Sequence, residues 1–286
     1  MRNVIRRLAK LFFNLPLAYL ACFGCLPSVP LHAAEQAAEL PTVELAIVVD
    51  DVGYNLAQAE RLLNAPGKLT LGILPFAPHS PAIARRAQIA GKEIILHQPM
   101  ESMATSHSHA ERGTLTMQMS ADHFNQRFAD ALAAVPYAVG VNNHTGSLLT
   151  QHREPMSRLM RKIRARGLFF LDSRTTAQTV ALSTARDWQV PAIRRDVFLD
   201  HTLDRESMHY EFDRALQIAR RNGHAVLIAH PHRLSLDVLE ERMASLPPDI
   251  KLTTLANLVK ARFNPFDQTM LARRESPTFL HRSLGQ

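Results

Sequence analysis

Short apolar runs alternate with helix-spaced stretches from residue 43 to 262. The runs are VELAIVV, LTLGILP, EIILH, YAVGV, LFFLD, AIRRDVFLD and AVLIAH, with a weaker IKLTTL near the end. Between them lie NLAQAERLLN, HSPAIARRAQIA, SADHFNQRFADALAAV, REPMSRLMRKIRAR, AQTVALSTARDW, ESMHYEFDRALQIARR and LSLDVLEERMASL, and a short helix is expected at about 256–262. Continuous apolarity over four to seven residues suits strands covered on both faces, and regular alternation with helices implies parallel pairing through crossovers. AGKEIIL, ARGLFFL and RNGHAVL each set a glycine (Gly91, Gly167, Gly223) where a helix should stop and a strand begin. The pattern predicts an α/β fold, a (β/α) barrel of seven to eight units in a single domain.

The ends of the chain read differently. MRNVIRRLAK carries four positive charges and no acid, and the apolar stretch LFFNLPLAYLACFGCL follows it. Residues 1–34 are therefore expected to be a signal peptide cut near Ala33 or Ala34 and directing the chain to the periplasm or outside, the alternative being a retained anchor. Residues 35–42 form a short lead, and residues 263–286 lack a sustained pattern and are expected to be a mobile tail. Both cysteines, Cys22 and Cys25, fall in the expected signal, so disulfides and thiolate ligands drop out of the processed chain and a metal would need His, Asp or Glu. The formal charge of +7 shrinks as well, because loss of Arg2, Arg6, Arg7 and Lys10 leaves 29 basic against 26 acidic residues, a balance that argues against a nucleic-acid partner.

Unusual polar residues gather at the carboxyl ends of the predicted strands, the face that carries chemistry in such barrels. Asp50 and Asp51 end the first; neighbouring carboxylates that diverge in direction suit holding a cation with one and taking a proton with the other. His97 and Glu101 follow the third, four apart with Pro99 between them, and are candidate metal ligands. The fourth ends in NNHTGS, which offers Asn142 and Asn143 for substrate and His144 as a ligand; the alternative is a capped turn, but two asparagines and a histidine exceed what a turn requires. Asp172 and Arg174 follow the fifth, as an ion pair or as catalytic and substrate-binding groups. Asp200 and His201 end the sixth. His230 and His232 bracket a proline after the seventh, where a histidine could protonate a leaving group and its neighbour contact substrate. His107, His109 and His123 are read as surface or lid residues of the polar excursion after the third strand. No P-loop, GxGxxG, GxSxG or HExxH is present.

Taken in order, AIVVDDVGYN, LTLGILPFAPHS, GKEIILHQPMES, VGVNNHTGS, GLFFLDSRTT and GHAVLIAHPHR resemble the divergent polysaccharide deacetylases of bacterial envelopes. The resemblance implies a polysaccharide-deacetylase-like barrel, with Asp50 as base, Asp51 and His97 as metal ligands and His230 as general acid. It also locates two departures: Glu101 stands where the better-known enzymes carry a second histidine, and NNHTGS replaces their arginine-proline segment, so that His144 offers a third ligand. The expected function is removal of acyl groups from a sugar polymer by a bound divalent metal, Zn²⁺ in the first instance, with a glycan as partner. The alternative is a homologue that binds envelope glycan or protein without turnover. A glycosidase built on paired carboxylates is a third, weaker reading.

Overall fold

The computed structural model describes residues 42–104 and 111–263. The expected signal, most of the lead, the tail after Phe263, His107 and His109 lie outside them. Among the described residues nine parallel strands form one sheet: β1 (Val43–Val52), β2 (Thr70–Ile73), β3 (Glu93–Met100), β4 (Gly140–Thr145), β5 (Phe169–Asp172), β6 (Ala192–Arg194), β7 (Val197–Phe198), β8 (His224–Ala229) and β9 (Ile250–Thr253). The helices are α1 (Leu56–Asn64), α2 (Ser80–Ile89), α3 (Ala121–Ala134), α4 (Arg153–Ala165), α5 (Ala181–Asp187), α6 (Arg205–Asn222), α7 (Arg233–Ala244) and α8 (Leu255–Arg262). Each of the three junction glycines has a positive φ, and Gly223 caps α6 at +78°.

The strand order is β6-β5-β4-β3-β2-β1-β8-β7, with β9 paired to the first half of β1. AIRRDVFLD, which reads as one strand, is two. Its first part pairs with β5 and its second with β8. Between them the Arg195 amide donates to Asp172 O and the Asp196 amide to Val226 O. One extended segment thus changes partners midway and carries the curled sheet back to its start.

Alternation along the strands separates two cores. Leu45, Ile47 and Val49 face outward beneath the helices with Phe124, Phe128, Met156 and Phe212. Ala46, Val48, Ile95, Phe169, Leu171, Val226 and Ile228 face inward, and Leu255, Leu258 and Val259 of α8 join them. Because α8 follows β9 and β9 pairs at the amino end of β1, those three side chains stopper the barrel from below. Each fully buried leucine contributes about 1.5–3 kcal/mol. The plug closes the lower end, where Thr70 Oγ1 donates to Glu93 and Glu93 accepts from the Ala256 amide, and the upper end is left open for a site.

Candidate metal centre

Extending the inward alternation by one step reaches the site. Asp50 follows Val48, His97 follows Ile95, Asn142 shares a register row with His97, Ser173 follows Leu171, and His230 follows Ile228. The strands run further than their apolar runs suggest: NNHT belongs to β4, and β3 continues to Met100. Asp51 would face outward by alternation. Its φ of +57° and a register break between Val49 and Val52 swing its carboxylate back over the barrel mouth, so the two neighbouring acids serve one cavity.

Three donor atoms meet there. Asp51 Oδ1 lies 2.9 Å from His144 Nδ1 and 3.1 Å from His97 Nε2, and the two ring nitrogens are 3.1 Å apart. Bonds of about 2.0–2.1 Å at tetrahedral angles place ligand atoms about 3.3 Å from one another, so this nearly equilateral triangle has the dimensions of three ligands on one cation. Asp51 Oδ1 is also buried without a directed hydrogen bond, although both nitrogens are within reach. The residues fit a divalent ion.

The far nitrogen of each imidazole is held. His97 Nδ1 lies 2.8 Å from Asn142 Oδ1, while Asn142 Nδ2 donates to both oxygens of Asp50 at 2.9 Å and to Ser173 Oγ at 3.2 Å. Since the amide spends its N–H groups there, its oxygen must accept, and His97 carries its proton on Nδ1 and presents Nε2. His144 Nε2 lies 3.2 Å from Glu111 Oε2, and Glu111 Oε1 accepts from Tyr54 OH at 2.8 Å.

The charges explain the titration. Burial pushes the Asp50 carboxyl up, against the pull of His97, His230 and the Asn142 hydrogen bond. Asp51 is desolvated too, yet the two imidazoles hold it far below the usual carboxylate range. Burial would depress the His144 imidazolium, but Asp51 and Glu111 on either side lift it to about 10. The proton on His144 thus occupies the place a cation would take.

His230 stands apart from the triangle. Its Nδ1 lies 2.9 Å from Asp200 Oδ1, and Asp200 Oδ2 accepts from the His230 amide and from Ser235 Oγ, both at 2.7 Å. Burial lowers the imidazolium, and Asp200, with Asp50 and Asp51 behind it, more than offsets this and raises it to about 8. The folded value exceeds the ordinary 6.5, so the pair contributes stability below pH 6.5 that is lost as pH rises through about 8. Asp200→Asn is expected to bring the His230 titration, followed by ring-proton NMR, down toward or below 6.5. A midpoint still at 8 would mean that Asp50 and Asp51 set it.

Other candidates lie elsewhere. Glu101 does not join the triangle; its Oε2 accepts from the Met117 amide at 2.7 Å, and its amide and carbonyl bind Leu115, Leu148 and Leu149. Asp172 follows the outward Phe170, and its carboxylate accepts from the Arg174 amide and Thr179 Oγ1, holding the turn after β5. Asn143 braces that turn through Ser173 N. Arg174 is half-buried with φ +50°. His232 is exposed, its ring 6.3 Å from that of His230. Glu111 and Tyr54 have no role in the sequence reading, and Asp200 is noted there only as a strand end.

Residues 47–259 match the family model of the divergent polysaccharide deacetylases. The chain belongs to that family. It is 37% identical over 216 residues to the uncharacterized protein YibQ of Escherichia coli K12, covering 76% of this chain and 67% of the relative. An uncharacterized protein of Haemophilus influenzae is 36% identical over 215 residues, 75% of this chain and 76% of its own. The crystal structure of an uncharacterized Agrobacterium tumefaciens C58 protein superposes with a TM-score of 0.72 at 26% identity, over 76% of this chain and 89% of that one. The (β/α) barrel expected from the strand pattern is the one observed, and the family match agrees with the resemblance that implied its deacetylase-like form. Among the described residues no helix is long and apolar enough to cross a membrane.

Proposed function

We propose that this protein is a metal-dependent hydrolase that removes acyl groups from a sugar polymer of the bacterial envelope, reached through the signal segment at residues 1–34. The triangle of Asp51 Oδ1, His97 Nε2 and His144 Nδ1 carries the reading. A neutral-imidazole and carboxylate set of three suits Zn²⁺, and such an ion supplies Lewis acidity, polarising an acyl carbonyl and acidifying water.

The remaining roles follow from where protons can go. Asp50 sits beneath the triangle with its carboxylate fixed by Asn142, and burial makes it a stronger base than a solvated aspartate, suited to taking a proton from attacking water. His230 is protonated at neutral pH. Asp200 occupies its Nδ1, which leaves Nε2 to deliver a proton to the departing amine or alcohol. Asn142, fully buried, positions His97 and Asp50 rather than meeting the glycan. Arg174 and His232, on the rim, are the substrate-facing candidates.

The test is acetate release from N-acetylated chitooligosaccharides and O-acetylated glycans by the purified chain, stripped with chelator and reloaded with Zn²⁺. Release should vanish on stripping and return on reloading. Glycan binding without acetate from any substrate, loaded or stripped, would instead identify a binding homologue.

A further inference from the structure

Glu111 lies 33 residues before His144 and 57 after Tyr54, in an excursion with no apolar periodicity, yet its carboxylate touches both. Glu111-Arg112-Gly113-Thr114 closes as a turn in which the Thr114 amide donates to Glu111 O at 3.0 Å and Thr114 Oγ1 donates to the same oxygen at 2.6 Å. The third residue, Gly113, has φ +93°, as a type II turn demands. A Cβ there would also lie 2.6 Å from Phe76 Cε2, so glycine is required twice.

The single bridge residue that follows, Leu115, is fixed as firmly. The Leu115 amide donates to Pro99 O and the Glu101 amide to Leu115 O, both at 2.9 Å. Gln98 Nε2 donates to Gly113 O at 3.0 Å, and the Leu115 side chain is fully buried. The turn therefore delivers Glu111 to His144 from a rigid mount, and Tyr54 OH fixes the rotation of the carboxylate.

His144 faces the triangle through Nδ1, whereas His97 uses Nε2. A histidine can ligate through either nitrogen, and the choice is made by what binds the other one. We infer that Glu111 is a positioning residue for the metal: by accepting the Nε2–H of His144 it commits that ring to Nδ1 ligation, and Tyr54 holds it in place to do so. The inference rests on the metal-centre reading above and extends it to a residue outside the ligand set.

The experiment uses the full chain and Zn²⁺ alone. Affinity is measured against a chromophoric chelator for the wild type, Glu111→Ala, Glu111→Gln and Tyr54→Phe, and the ligating nitrogen of His144 is read from histidine ¹⁵N shifts. Loss of such a partner typically weakens binding about 10–100-fold, which is expected for Glu111→Ala together with loss of uniform Nδ1 ligation. Glu111→Gln keeps an oxygen acceptor and should lose less. Tyr54→Phe should lose least and retain Nδ1. Glu111 is partly exposed, so Glu111→Ala should remain folded, and the near-isosteric Glu111→Gln gives a second measure. Wild-type affinity with unchanged Nδ1 ligation in Glu111→Ala overturns the positioning role alone. A wild type that takes up no Zn²⁺ overturns the metal-centre reading, and the positioning role with it.

Discussion

Asp51→Asn is expected to strip the protein of its metal and to lower acetate release by about 10²–10³-fold or more, the range seen when a key electrostatic group is removed. The substitution is unusually clean. At φ +57° most side chains would add backbone strain, but asparagine tolerates the left-handed region as well as aspartate does. What changes is charge: a neutral amide oxygen replaces the anion that both imidazoles face. The loss of Zn²⁺ affinity should exceed the 10–100-fold typical of a supporting residue. The His144 titration should also fall well below 10 in the metal-free protein, because the first of its two carboxylate partners is gone. Metal content by elemental analysis, with acetate release on the same sample, decides the matter. Full metal retention in Asp51→Asn would remove Asp51 from the ligand set.

Gly72→Ala is expected to be nearly as damaging to activity, although residue 72 carries no chemistry. Gly72 lies on β2 beside β1, and a Cβ there would overlap Asp50 Oδ1 and come within 3.2 Å of its Cα. The backbone φ is not in the left-handed region, so the effect is steric. Overpacking of this kind costs about 1–3 kcal/mol, and relieving it would turn the Asp50 carboxylate away from Asn142. Urea unfolding and acetate release should both suffer. The double variant Gly72→Ala with Asp50→Ala separates the causes: removing the carboxylate removes the overlap, so much of the stability should return while activity stays lost. If Gly72→Ala alone leaves both quantities untouched, Asp50 is not confined as described.

The strand ends were legible because their apolar runs are continuous and because Asp50, His97, Asp200 and His230 all stop such runs. The inward or outward sense of each was not, since strands buried on both faces show no alternation in hydropathy. Asn142 and His144 look like a turn for a related reason: polar residues inside a strand carry the same signal as polar residues after one. Asp51 is a ligand candidate by resemblance, and simple alternation turns it away; the register break that reverses it leaves only Gly53 as a trace in the sequence. Asp172 ends an apolar run as Asp50 does, but one step out of phase, which is why it braces a turn instead of facing the barrel mouth. Glu111 was invisible to periodicity, and its one local clue is the Glu-Arg-Gly-Thr turn.

The placement of β1 has a kinetic consequence. Glu44 pairs with His224, 180 positions later, and Val43 with Ile250, 207 positions later. A ribosome making this chain from its amino end must release almost all of it before the first strand can acquire those neighbours. Pairings so distant in sequence close slowly. The lower stopper, α8, comes later still, so the nascent polypeptide remains unable to complete its barrel for nearly its whole synthesis.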